Sequence, residues 1–132
     1  GLAAAIRDEA RRFEARSGVA TSVAVQNTAA IEPGVATALF RVLQELMTNV
    51  ARHANARRLS ITLAEEGGAQ RLAVEDDGVG IRPEHTGPAL SLGLLGMAER
   101  CAAIGGSLEL QRGPMGGTLA TVRVPSAAPQ GR

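Results

Sequence analysis

The chain has 132 residues, with 14 basic and 13 acidic side chains and a net charge of +1. That length suits one domain with a single core, of which roughly two-thirds of the unfolded surface can be buried. Near-neutral charge, 2% aromatic residues and the absence of Trp and Tyr exclude a basic nucleic-acid or anionic-membrane binder and a base-stacking platform.

Leu2, Ile6, Ala10 and Phe13 recur at helical spacing among Arg7, Asp8, Arg11 and Arg12, and Ser17-Gly18 closes the pattern, which predicts a helix over 2–16. Val19 to Val25 reads as a short strand. Pro33 opens a long helix that is expected to run to Ala54, with Leu39, Leu43, Leu46, Met47 and Val50 as its core stripe and Val42 at the margin. Leu59, Ile61 and Leu63 alternate with Ser60 and Thr62 as a half-buried strand does. Glu65-Glu66-Gly67-Gly68 is a hairpin turn, and Arg71–Asp76 is the return strand. Residues 78–92 read as a loop, and Leu94 to Ile104 as a helix ended by Gly105-Gly106. Two last strands, Ser107–Gln111 and Thr118–Val124, flank the turn Gly113-Pro114-Met115-Gly116-Gly117, and residues 126–132 form a flexible tail. The expected architecture is α+β: two layers, with a mixed sheet of about five strands covered on one face by about three helices.

Polar residues interrupt this pattern at several places. Glu45, Asn49, Arg52 and His53 share one arc of the long helix beside its core stripe, either as a solvated face with a Glu–Asn pair or as the lining of a cleft. Asp76 has the strand parity of Leu72 and Val74, so it faces the core and needs a donor; it is either a turn aspartate before Gly78 or an acceptor for an exocyclic amine such as the adenine N6 group. Gly78 and Gly80 allow close backbone approach to a ligand. Gly93 and Gly96 stand where the helix near Leu94 opens, and a helix N-terminus suits a phosphate. Thr118 shares its parity with Ala120, Val122 and Val124, so its hydroxyl faces inward. His85 reads as a surface loop residue, Cys101 as a core or boundary thiol, and Glu99 and Arg100 as helix-surface charges.

All 14 cationic side chains are Arg, and without Lys neither a phosphate-binding P-loop nor a kinase of the Ser/Thr/Tyr type is possible. Cys101 alone forms no internal disulfide, which suits a reducing cytoplasm, and no apolar run reaches the roughly 20 residues of a membrane span. The chain begins at Gly1 rather than Met, as a piece of a longer protein would.

The order Glu-x-x-x-Asn on a helix, Asp-x-Gly-x-Gly after a strand, Gly-x-x-Gly-Met at a helix and Gly-Thr on the last strand resembles the ATP-binding catalytic domain of bacterial sensor histidine kinases. That domain shares its superfamily, and the Bergerat fold, with gyrase, mismatch-repair and chaperone ATPases. Residues 39–54 are similar to the N box of the nitrate-sensor-like subfamily, and residues 94–100 to its G2 box. The resemblance covers residues 1–125 and implies Mg²⁺ and ATP as cofactors. It implies Asn49 as the metal ligand, Glu45 as a catalytic metal-shell or proton-accepting group, and Arg52 and His53 at the phosphates. Asp76 would take the adenine amine, Gly78, Gly80 and Ile81 would wall the base, Gly93, Leu94 and Gly96 would lie beside the phosphates, and Thr118 near adenine. Ser91 departs from the usual glycine of the G2 box, and the lid from Arg82 to Leu92 is short. Neither His53 nor His85 fits a phosphoacceptor, so the resemblance places that histidine on a dimerisation domain before Gly1, with a response regulator downstream. It implies a monomeric piece of a homodimeric cytoplasmic kinase, or the cytoplasmic part of a membrane-bound one, with no nucleic-acid or membrane contact of its own. A gyrase- or chaperone-type ATPase and an anti-sigma-factor-like binding module are the alternatives on the same fold.

Overall fold

The computed structural model describes residues 1–26, 31–80 and 88–125, with the side chains of 88–92 left aside. The elements in chain order are α1 (Leu2–Ser17), β1 (Ala20–Gln26), α2 (Pro33–Asn49) continued by a π-helical turn (Val50–Ala54), β2 (Arg58–Glu66), β3 (Ala69–Asp76), α3 (Pro88–Ala103), β4 (Ser107–Arg112) and β5 (Thr118–Pro125). Five strands form one sheet in the order β1-β2-β3-β5-β4; β1 runs parallel to β2, and every other pair is antiparallel. The expected three helices over a five-stranded mixed sheet are therefore present.

Alternation in the strands decides which face is covered. Leu59, Ile61 and Leu63 of β2, Leu72 and Val74 of β3, and Ala120, Val122 and Val124 of β5 are buried on one face, against Ile6, Ala10 and Phe13 of α1 and Leu39, Leu43, Leu46 and Met47 of α2. Val42, expected at the margin, is fully buried, so the α2 stripe is wider than its sequence spacing indicated. Met97 and Cys101 bring α3 into the same core, and burial pushes the Cys101 thiol up. The end of α1 and the start of α2 carry local signals. Gly18 takes the left-handed conformation (φ 77°) and its N–H caps Glu14 of α1, while the Glu32 side chain accepts from the Val35 N–H ahead of α2, with Pro33 in its first turn.

Two elements depart from expectation. The long helix does not stay α-helical to Ala54; its last five residues widen into the π turn, and Asn55 then reverses the chain at φ 51°. The helix expected from Leu94 instead starts at Pro88, so Gly93 and Gly96 lie inside it rather than at its opening. Pro fits the first turn of a helix, whose N–H groups lack intrahelical partners in any case, and the leucines around the glycines are good helix formers. The tail over 126–132 and the short segments 27–30 and 81–87 lie outside the described residues.

Candidate functional site

Where α2 ends above the sheet, a narrow pocket opens to solvent. Its walls are Leu46, Asn49, Val50, His53 and Ala54 from the helix, Val74 and Asp76 from β3, Gly80, Leu110 from β4, and Thr118 and Ala120 from β5. The mix of apolar walls with a few convergent polar groups is that of a small-molecule site. Five residues singled out in the sequence, Asn49, His53, Asp76, Gly80 and Thr118, line it together, although up to 69 positions separate them.

Asp76 is 4% exposed at the end of β3. Its Oδ1 accepts the Gly78 N–H at 2.8 Å and the Thr118 N–H at 3.5 Å. Burial pushes its carboxyl up from the ordinary carboxylate value, the Gly78 and Thr118 N–H groups pull it back, and the adjacent Asp77 and Glu75 charges add a further upward push. The turn-aspartate reading is thus correct for one oxygen, and the same side chain still faces the pocket. Thr118 is 7% exposed beside it.

Gly117, which the sequence reading passed over as part of a turn, holds this arrangement. A Cβ there would fall 2.3 Å from Asp76 Oδ1, 2.5 Å from the Asp76 carbonyl oxygen and 2.7 Å from the Gly78 nitrogen. The only hint in the sequence was its place before Thr118 in the Gly-Thr pair. Gly78 has a different role from the one expected. Its Cβ would meet the Ala54 carbonyl oxygen at 2.0 Å, and the Val79 N–H donates to that same oxygen at 2.8 Å, so Gly78 packs the loop onto the π turn rather than onto a ligand. Gly80 does line the pocket, at a φ of +82° that favours glycine, and a Cβ there would meet Gly117 and Thr118 at an ordinary contact distance of 3.8 Å. Ile81 and His85 lie outside the described residues.

Asp77 points away, as its parity requires, and its Oδ1 accepts the N–H groups of Arg57 (2.8 Å) and Arg58 (2.9 Å), which hold its carboxyl below the usual carboxylate range. With the Ala54–Val79 bond this fastens the end of the α2 turn to the end of β3.

Asn49 is 8% exposed and its Nδ2 is buried without a hydrogen-bond partner, which rules out both the solvated face and a Glu–Asn pair through that atom. A buried, unsatisfied amide costs about 1–3 kcal/mol, and a half-turn of the terminal amide would present an oxygen at the same place. Glu45 is half-buried but is not a wall of the pocket; it faces α3, where a Cβ on Gly93 would stand 3.6 Å from its Oε2. Arg52 is exposed and also outside the pocket. The shared arc of four residues assumed a regular α-helix. In the wider π turn each residue advances by a smaller angle, which keeps His53 over Asn49 and leaves Arg52 toward solvent. Gly96 is exposed with nothing within 4 Å of a Cβ, and Leu94 is half-buried against the core. The helix-end anion site expected at Gly93 and Gly96 is not formed, because α3 begins a turn and a half earlier. Glu99 and Arg100 are exposed on α3. Among the described residues no group of three or more His, Cys, Asp or Glu side chains forms a metal cluster, and no helix is long and apolar enough to cross a membrane.

The family model described as histidine kinase-, DNA gyrase B- and HSP90-like ATPase matches residues 34–128. The sensor histidine kinase MctS of Rhizobium johnstonii is 36% identical over 97% of this chain, and LiaS of Bacillus subtilis, also a sensor histidine kinase, is 39% identical over 76%. In each case the chain spans about 28% of the relative's length. The histidine kinase domain of the Erythrobacter litoralis EL346 blue-light activated histidine kinase superposes with a TM-score of 0.75 at 24% identity. That match covers 95% of this chain and 61% of the other.

Proposed function

The chain belongs to the histidine kinase-, DNA gyrase B- and HSP90-like ATPase family, and we propose that it is the ATP-binding catalytic domain of a two-component sensor histidine kinase. The observation that carries this reading is the buried Asp76 carboxylate, fixed by two backbone N–H groups in the wall of a mainly apolar pocket. In this reading Asp76 accepts the adenine N6 hydrogen, Thr118 bonds close by, Gly80 with Ile81 walls the base, and the apolar sides of Leu46, Val50, Val74, Leu110 and Ala120 exclude water around it. His53 and, from the rim, Arg52 meet the phosphates, and the bare backbone of Gly93 and Gly96, with Leu94, gives them room along α3.

Mg²⁺ fits Asn49. That cation takes oxygen ligands, keeps several waters and needs only one or two protein donors beside substrate phosphates, and Asn49 offers an amide that has no other partner. When bound, the ion would neutralise charge developing on the transferred phosphoryl group. In this reading Glu45, one turn before Asn49 on α2, would order the metal's water shell. Catalysis then rests on positioning: the chain holds the nucleotide and presents its γ-phosphoryl to a histidine nitrogen on a dimerisation domain of the same protein, for relay to a response regulator in the cytoplasm.

The test is transfer in trans. The chain is mixed with γ-labelled ATP, Mg²⁺ and a histidine-bearing helical dimerisation segment of a related kinase, and the label is followed. Acid-labile, base-stable label on the segment supports the kinase reading. Label released only as phosphate in the presence of that segment supports a gyrase- or chaperone-type ATPase, and label on a serine-bearing antagonist supports the anti-sigma-like module.

A further inference from the structure

Glu75 precedes Asp76 on β3, so its side chain lies on the opposite, open face of the sheet. It nonetheless reaches the same structure that Asp76 does. Glu75 Oε2 accepts the N–H of Met115, 40 residues later, at 2.7 Å. A Cβ on Gly113 would stand 2.5 Å from Oε2, 3.0 Å from Cδ and 3.1 Å from Cγ, so the whole side chain lies along the backbone that opens the β4–β5 turn. The turn closes on itself through Gly113 N–H to the Gly117 oxygen and Gly116 N–H to the Gly113 oxygen, both 3.0 Å, with Gly116 at φ +97°. Three glycines in five residues leave it little stiffness of its own. The far end of the turn is Gly117–Thr118, pressed against Asp76. Two adjacent carboxylates therefore grip one glycine-rich turn from opposite faces of the sheet, Glu75 at its entry and Asp76 at its exit.

We propose that Glu75 is a positioning residue for the nucleotide pocket: by anchoring the Gly113–Met115 entry it fixes Gly117 and Thr118 against Asp76 and so sets the affinity for the base end of the ligand. The proposal rests on the reading that the Asp76 pocket takes the adenine of ATP. Apart from its charge, which Ala, Met and Gln remove alike, Glu75 acts on the pocket through the turn, so loss of its hydrogen bond weakens every ligand that carries the base by the same factor, whatever its phosphates.

The experiment measures dissociation constants of ATP, ADP and adenosine by calorimetry for the chain and for Glu75→Ala, Glu75→Met and Glu75→Gln, with Glu109→Ala on the same sheet face as control. Hydrogen exchange is read at Met115 and Thr118. Ala and Met remove the acceptor, Met keeping the stem over Gly113; Gln keeps an oxygen for the Met115 N–H. Loss of one such hydrogen bond corresponds to about tenfold in affinity. The expected result is that weakening for all three ligands with Ala and Met, near-normal affinity with Gln and Glu109→Ala, and faster exchange at Met115 and Thr118 only in the Ala and Met variants. Unchanged affinity in folded Ala and Met variants, equal loss with Gln, or a loss confined to ATP and ADP overturns the proposal while leaving the nucleotide reading intact. No binding of any of the three by the folded parent chain overturns both.

Discussion

At the scale of single residues the pocket holds two side chains that cost the fold something. Asp76 is buried with its carboxyl pushed up, and Asn49 has an amide nitrogen with no partner. Replacing either without cavity or clash is therefore expected to spare stability and remove function. Asp76→Asn keeps an oxygen for the Gly78 and Thr118 N–H groups and turns an NH₂ toward the adenine amine, donor against donor. ATP affinity should fall by at least about a hundredfold, as for a site whose buried polar group is mismatched, with a melting temperature no lower than that of the parent. The pH dependence has a definite sign. The folded pKa of Asp76 lies above its unfolded value, so the folded chain holds this proton more tightly and the charge costs stability at neutral pH. That cost fades as pH falls through the raised pKa. ATP binding, which needs the acceptor, should weaken over the same range. Asp77 is the opposite case: its depressed pKa gives a contribution present above the ordinary carboxylate value and lost as pH falls below it. For Asn49→Ala, calorimetry with and without Mg²⁺ should give the same weak ATP affinity, while thermal melting stays level or rises. Asp76 and Asn49 were legible in the sequence because strand parity and helical spacing fix which face a residue takes. Gly117 was not, since what makes it necessary is the Asp76 side chain 41 positions earlier.

At the scale of elements, the strands matched their alternating sequence closely, while the end of α2 and the start of α3 did not. The π turn over Val50–Ala54 follows from long-range bonds: Val79 N–H to the Ala54 oxygen and Asp77 to the Arg57 and Arg58 N–H groups hold the end of α2 down on β3. No local propensity encodes that. Gly78 is the contact between the two elements, and Gly78→Ala, with a Cβ 2.0 Å from a backbone oxygen, should destabilise the chain by about 3 kcal/mol in urea unfolding, at the upper end of overpacking costs. α3 starts earlier than expected because residues 78–92 read as a loop, and Gly93 and Gly96 therefore fall inside it. Within a helix each costs about 0.5–1 kcal/mol relative to Ala, and Gly96 has open space around it that gives no packing reason for its presence. Gly96→Ala is accordingly expected to raise stability by about 1 kcal/mol and to weaken ATP binding, more for ATP than for adenosine. A variant that is both more stable and fully competent would remove Gly96 from the phosphate path.

At the scale of the whole molecule, the sheet carries its core on one face and the fastening of the site on both. β3 is the common member: Leu72 and Val74 belong to the core, Asp76 to the pocket, Glu75 and Asp77 to the turns that hold the pocket together. Such a domain is stable through its two-layer packing, and at the pocket end of the sheet it keeps a buried carboxylate and an unsatisfied amide that a ligand can meet. The chain has no lysine to grip phosphates as a point charge; in the proposed reading those contacts would fall to a metal on Asn49, to His53 and Arg52, and to bare backbone. The most direct measurement is a calorimetric titration of the chain with ATP and with GTP, in Mg²⁺ and in chelator, beside Asp76→Asn. Binding of ATP but not GTP, strengthened by Mg²⁺ and abolished by the variant at unchanged melting temperature, is the predicted result. Equal binding of ATP and GTP, or ATP binding that survives in Asp76→Asn, would contradict the assignment of the base to this pocket.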